Sequence, residues 1–254
     1  MELSKRYENL KSVIHQFESI SLDEMNSVAL MKRTDTKFIV NISYLTSILK
    51  ELQKSYRVLE IKDKRMMDYM SLYLDTPEFK FYHDHHNGRT NRTKIRQRKY
   101  VDSNLTFLEI KQKNGKGEIK KTRIKINDFE PDLSIASKDF IFKTTHQNFE
   151  LKPSLWNNFK RITLVSLEDN ERITIDLKLI YSRSLLKRKY KKLVVIEVKQ
   201  SKFDRKSKII SVLKNFNNNP YSISKYCIGV TNLYPNLKSN LFKNKLLKIN
   251  KITT

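Results

Sequence analysis

KIRQRKYVDSNLTFLEIKQKNGKGEIKKTR, Lys94 to Arg123, decides how this chain folds. Three strand-like runs in it place a charge at every second residue. Lys94, Arg96 and Arg98 share one parity, with Ile95 on the other. Glu109, Lys111 and Lys113 share one parity, opposite Leu108 and Ile110. After a turn at Asn114-Gly115, Lys121 and Arg123 alternate with Thr122 and Ile124. Side chains of a β-strand point alternately to its two faces, so each run is charged on one side and apolar on the other.

The same pattern recurs along the chain. Arg33, Asp35 and Lys37 alternate in MKRTDTKFIV, and YMSLYLDT (69–76) reads as a strand ending at Pro77. NNFKRITLVS carries Arg161 and turns at Glu168-Asp169-Asn170. ERITIDLKL then puts Arg172, Thr174 and Asp176 opposite Ile173, Ile175 and Leu177. KLVVIEVKQ puts Glu197 and Lys199 opposite Val194, Ile196 and Val198. SISKYCIGV ends the periodic part.

Helical spacing appears at Leu10, Val13, Ile14 and Phe17. Ser21 and Glu24 form a capping box that opens a second helix through Leu30. Asn41 caps a third, with Leu45, Ile48, Leu49 and Leu52 on its apolar side, and a further helix is expected over residues 204–216. Residues 127–153 lose the period and read as a connection containing a short helix. About eight strands and three or four helices with no linker predict a single α+β domain over residues 1–236. Residues 1–30 pack on it as helices, and residues 237–254 form a basic tail, helical or frayed.

The 254 residues carry 51 Lys plus Arg against 27 Asp plus Glu, a formal net charge of +24, which calls for a polyanionic partner. The aromatics are not interleaved with the basic runs as stacking platforms, and no RNP or helix-turn-helix signature is present, so nucleic acid is not expected. One cysteine, Cys227, excludes an intrachain disulfide and a Cys-based zinc cluster. No signal-like or membrane-spanning run is seen, and a cytoplasmic location is expected. His83, His85 and His86 lie in a loop-like stretch without a fourth ligand, Cys227 and Trp156 read as buried, and Tyr73 and Asp75 fit either the charged face or strand-end packing.

Strands of this kind have two solutions: an antiparallel sheet with one solvated face, or a closed barrel whose lumen holds the charges, with helices packed outside. Ordinary solvated faces mix Lys, Glu, Thr and Gln, whereas here Arg and Lys predominate, and Arg makes bidentate contacts to phosphate. Like charges about 4 Å apart repel by roughly 4 kcal/mol at an effective dielectric near 20, so such a lumen favours a bound polyanion.

RTDTKFIV, YLDT, KIRQRKY, EIKQK, KKTR, FKR, RITID, VIEVK and SKY, in that order, resemble the VTC polyphosphate polymerase domain of the triphosphate tunnel metalloenzyme superfamily, which also holds the CYTH phosphatases. The resemblance runs from about Met31 to Val230. It implies an eight-stranded antiparallel tunnel that binds a triphosphate with Mn²⁺ or Mg²⁺, takes the γ-phosphoryl of ATP and extends polyphosphate. By motif, Lys37, Arg96, Arg98, Lys111, Lys121, Arg123, Arg161 and Arg172 would be phosphate ligands. Glu197 would hold the metal, helped by Asp176 and Glu109; Lys199 would face the phosphates, and Ser224 and Lys225 would close on the tunnel from the last strand.

Two departures bear on activity. CYTH hydrolases carry ExExK in the first strand; here Arg33, Asp35 and Lys37 align, so the first acid is absent, which favours polymerase over tripolyphosphatase or nucleoside triphosphatase, with a non-enzymatic polyphosphate-binding protein as the third alternative. The further Lys that polymerase relatives often place shortly before SKY is also missing. No membrane-spanning or SPX segment is legible, so coupling to transport or phosphate sensing is not expected.

Overall fold

The alternation of Lys94–Arg123 is realised as strand pairing: Arg96 lies opposite Glu109, and Glu109 opposite Arg123. The computed structural model describes residues 2–27 and 34–253. Their strands are β1 (Ser19–Ile20), β2 (Thr34–Asn41), β3 (Tyr56–Leu59), β4 (Met67–Asp75), β5 (Arg92–Tyr100), β6 (Leu105–Lys113), β7 (Ile119–Ile126), β8 (Lys152–Ser166), β9 (Glu171–Arg183), β10 (Leu186–Tyr190) and β11 (Leu193–Gln200). The α-helices are α1 (Glu2–His15), α2 (Leu22–Ser27), α3 (Ile42–Leu52), α4 (Lys80–His86), α5 (Ile135–Thr145), α6 (Lys208–Asn215), α7 (Lys225–Leu233) and α8 (Lys243–Thr253).

All strands join one sheet. Its main path runs β2-β11-β9-β8-β4-β5-β6-β7, antiparallel at every step. β3 pairs with β8, β10 with β9, and β1 runs parallel to β3. The expected closed eight-stranded barrel is therefore corrected to an open sheet of 11 strands. Eight strands do make the main path, but among the described residues its ends, β2 and β7, do not pair. Two features account for this. β8 and β9, at 15 and 13 residues, outrun their neighbours, and their surplus amides pair with β3 and β10. The β7 edge is itself cationic, with Lys120, Lys121, Arg123 and Lys125, and such charges on an open edge discourage strand addition. The sheet still curls, since Lys37 on one end strand acts electrostatically on Lys111 of β6, near the other end of the path.

The convex face is apolar, and helices cover it as expected. Phe38, Val40, Ile162, Leu164, Ile173, Ile175, Leu177, Val194, Ile196 and Val198 pack with residues of α1, α3 and α6. Leu72, Leu74, Ile95, Leu108 and Ile110 form a second layer with Ile141 of α5. Serine and asparagine caps fix where helices begin: Asn41 accepts from Ser43 N, Ser134 from Ser137 N and Ser207 from Ile210 N. The Ser21–Glu24 capping box is formed in both directions. The second helix is described from Leu22 to Ser27, and the expected Leu30 end, like Arg33, lies outside the described residues.

Helices outside are only part of the arrangement, because α7 packs on the concave face. Its Tyr226, Ile228, Val230 and Leu233 join Tyr73, Leu155, Leu179 and Tyr181 in a core of their own. Gly229 permits this seating: a Cβ there would meet Tyr181 Cδ1 at 2.7 Å. The basic tail forms α8, with Ile249 buried and Asn41 Nδ2 donating to Ile252 O at 2.5 Å. The loop expected around His83 is α4, and Pro153 enters β8 at a register shift, where a missing N–H is tolerated.

Candidate functional site

Strand register assembles the charges onto the concave face. Glu197 of β11 lies opposite Lys37 and Thr174, and Lys199 opposite Asp35 and Arg172. Arg161 of β8 lies opposite Asp176 of β9 and Met67 of β4. Ser71 and Tyr73 lie opposite Arg98 and Arg96; farther along, Lys94 meets Lys111, which meets Lys121. The same two-residue period that put these side chains together in sequence keeps them on one side through the eight strands of the main path.

Three carboxylates organise the cations. Glu109 accepts from Arg96 (Nη2–Oε2 2.7 Å) and Lys121 (2.8 Å), with Arg98 at 4.0 Å. Asp176 takes a two-pronged contact from Arg161, Nε–Oδ1 at 2.6 Å and Nη2–Oδ2 at 2.8 Å, and Lys225 Nζ at 2.5 Å. Glu197 lies between Lys37 and Lys199, each at 2.5 Å, and Lys199 also donates to Thr174 Oγ1 at 3.3 Å. Burial by itself would raise all three carboxyls; the surrounding cations outweigh it and hold each well below the usual range. The cations pay the reverse cost. Burial, and beside it the fields of neighbouring Arg and Lys side chains, draws Lys94, Lys121 and Lys199 down to about 8 despite the partners that oppose this. Lys111 is lowered by burial and by Lys37.

Aromatic rings brace the guanidinium groups. Arg161 stacks over Tyr69 at 4.8 Å and Phe159 at 5.3 Å, Arg98 lies over the same two rings, and Arg123 lies over Phe107 at 4.5 Å. Arg98 Nε donates to Ser71 Oγ and Arg96 Nη1 to Tyr73 OH. Tyr69, Ser71 and Phe159 escaped the sequence reading as members of the site, and of the two places open to Tyr73 the structure takes the charged face, beside Arg96. The shared parity of 69, 71 and 73 in YMSLYLDT was the available signal. Asp75 is structural: buried, it accepts from Phe81 N, Tyr82 N and the Tyr226 hydroxyl, which ties α4 to α7.

Ser224 and Lys225 do reach the charged face, but from a helix start and not from a last strand. Ser224 caps α7 by accepting from Cys227 N, and it also receives Lys94 Nζ at 2.9 Å. The reason is that the residues after Ser224 bury Tyr226, Cys227, Val230 and Leu233 against the concave wall with helical spacing. Arg172 and Arg123 face the site by register. Cys227 is buried, as expected, and burial raises its thiol. His86 Nε2 accepts from Leu241 N, and none of the five histidines lies on a strand.

Among the described residues no three His, Cys, Asp or Glu side chains come together as metal ligands, so Glu109, Asp176 and Glu197 do not form one metal centre. Both carboxylate oxygens of Glu197, the residue expected to hold the metal, are engaged by the ammonium groups of Lys37 and Lys199.

A VTC domain family model matches residues 32–234. Among solved structures, the chain is similar to a candidate adenylyl cyclase from Hippeastrum described as having a dominant triphosphatase activity: TM-score 0.50 and 12% identity over 80% of this chain and 97% of that one. A candidate adenylate cyclase from Bacillus halodurans is similar with TM-score 0.50 and 12% identity, over 80% of this chain and 100% of that one. At such identity the likeness is one of fold. No curated protein matches the sequence.

Proposed function

Because the chain belongs to the VTC domain family, we propose that it is a phosphoryl-transfer enzyme that moves the γ-phosphoryl of ATP onto a growing polyphosphate chain. The observation that carries this reading is the concave face itself, where cations outnumber carboxylates and the lysines Lys94, Lys121 and Lys199 are held near 8. A polyanion there relieves the repulsion that lowers them.

Phosphoryl transfer needs alignment and charge neutralisation more than covalent chemistry. Arg96, Arg98 and Arg161, braced by Tyr69, Phe159 and Tyr73, present fixed donors for the transferring group. Lys37, Lys111, Lys199 and Arg172 bind the phosphates on the β2–β11–β9 side; Lys94, Lys121, Arg123, Ser224 and Lys225 bind them elsewhere on the face. A phosphate-chain end is already ionised near neutral pH, so the acceptor needs no general base, in keeping with strands that carry no histidine. A divalent ion, Mn²⁺ or Mg²⁺, held by Glu197 would neutralise charge on the bridging phosphate oxygens. The site belongs to a single tunnel-type domain of residues 1–236, to which the remaining residues add a basic helix.

A second reading, tripolyphosphatase or nucleoside triphosphatase, is favoured by α7. It fills the apolar half of the concave face, which suits a short substrate better than a threading chain. The protein with ATP and Mn²⁺, followed by gel and by phosphate release, separates them. Long chains support the polymerase, free phosphate alone supports the hydrolase, and neither product refutes both.

A further inference from the structure

The hairpin between β9 and β10 ends in a tip that neither the core nor the charged face uses. Every residue from Arg183 to Lys189, RSLLKRK, is exposed; Leu185 is 100% exposed and Leu186 54%. The turn passes through Ser184 in a left-handed conformation, φ 46°. No acidic residue occurs between Arg183 and Lys192. Arg183 and Arg188 lie over the rings of Tyr234 and Tyr190, at 4.0 and 5.3 Å, while Lys187 and Lys189 extend from the exposed strand.

Among the described residues β10 pairs with β9 alone, which leaves its other side as an open sheet edge. Lysines on such an edge discourage strand addition, and that explains the cations. It does not explain two adjacent leucines at the apex, which invite the association the lysines oppose. A single exposed leucine is ordinary; a pair ringed by unopposed cations is the pattern of a surface that meets something both apolar and negative.

We propose that this hairpin docks the protein on an anionic lipid surface. The leucines enter the boundary between headgroups and acyl chains, and Lys187, Arg188 and Lys189 meet headgroup phosphates. No helix among the described residues is long and apolar enough to cross a membrane, so the contact is peripheral. A strand rises about 3.3 Å per residue, which places Arg183 roughly 23 Å from Asp176 and leaves the charged face clear of the bilayer. The inference does not depend on the phosphoryl-transfer reading.

The test uses the full chain and vesicles of phosphatidylcholine with or without phosphatidylglycerol. Leu185→Cys adds one accessible thiol, because Cys227 is buried. An environment-sensitive fluorophore on it should shift to the blue with the anionic vesicles and not with the neutral ones. The Leu185→Ser/Leu186→Ser variant should weaken vesicle co-sedimentation about tenfold or more while melting like the parent. Lys187→Gln/Arg188→Gln/Lys189→Gln should weaken it at least as much. Lys202→Gln/Lys206→Gln/Lys208→Gln, which removes equal charge from another exposed stretch, should keep most of the binding. Full binding by the double serine variant, or equal losses in the hairpin and control triples, would mean that net charge alone attracts the protein and would overturn the proposal. Absence of binding to anionic vesicles, the result expected if the tip meets an acidic protein instead, would overturn it too.

Discussion

Glu197 sits between Lys37 and Lys199, and this pairing sets the consequence of altering it. Glu197→Gln removes the carboxylate proposed for the metal but leaves both ammonium groups to bind phosphate. Turnover should fall about a hundredfold or more, while tripolyphosphate affinity measured calorimetrically is retained or rises. Turnover within a few-fold of the parent would exclude the metal role. The lysines of the concave face yield a pH signature. Lys94, Lys121 and Lys199 titrate near 8 without ligand, and a bound polyanion favours their charged forms. Binding at pH 8 should therefore take up about one to two protons, and at pH 6.5, where all three are already charged, close to none from these groups. Because uptake accompanies binding, affinity should weaken as pH rises above 8. Calorimetry in buffers of different ionisation enthalpy reads this directly, and a zero proton count at pH 8 would show the lysines are not at the ligand.

At the scale of elements, α7 is the decisive piece, and Gly229 is its weak point. Gly229→Ala gains up to about 1 kcal/mol of helix propensity. The added Cβ, however, would lie 2.7 Å from Tyr181 and 3.0 Å from Leu155, and overpacking of this kind costs about 1–3 kcal/mol. Net destabilisation should appear as a lower urea midpoint. Since α7 carries Ser224 and Lys225, weaker tripolyphosphate binding should accompany it; a variant at least as stable as the parent would contradict the close seating. The same element shows why sequence reading stopped short. SISKYCIGV alternates well enough to pass for a strand, and its helix is chosen by which residues find apolar partners on the concave wall. β1, β3 and β10, at 2, 4 and 5 residues, are too short to show a period of their own and exist because longer strands offer unpaired amides.

For the molecule as a whole, the crowding of cations on one face predicts that ligand and stability are linked. Tripolyphosphate at about 100 times its dissociation constant adds roughly 2.7 kcal/mol, which for a chain of this size raises Tm by roughly 5–10 °C. Thermal melts at saturating ligand check it, and an unchanged Tm would remove the concave face as the binding site. Alternation, with the family motifs, placed Lys37, Arg96, Arg98, Glu109, Lys111, Arg161, Arg172, Asp176, Glu197 and Lys199 on that face, because a period of two is a local property of the backbone. Composition, at a formal net charge of +24, called for an anionic ligand. Tertiary structure decided the rest. Whether the first and last strands meet, which carboxylate each cation pairs with, which rings brace the arginines, and that a helix occupies half the concavity depend on contacts between residues far apart in the chain. A periodic sequence specifies the direction in which a side chain points, while its partner is set by the curvature of the whole sheet.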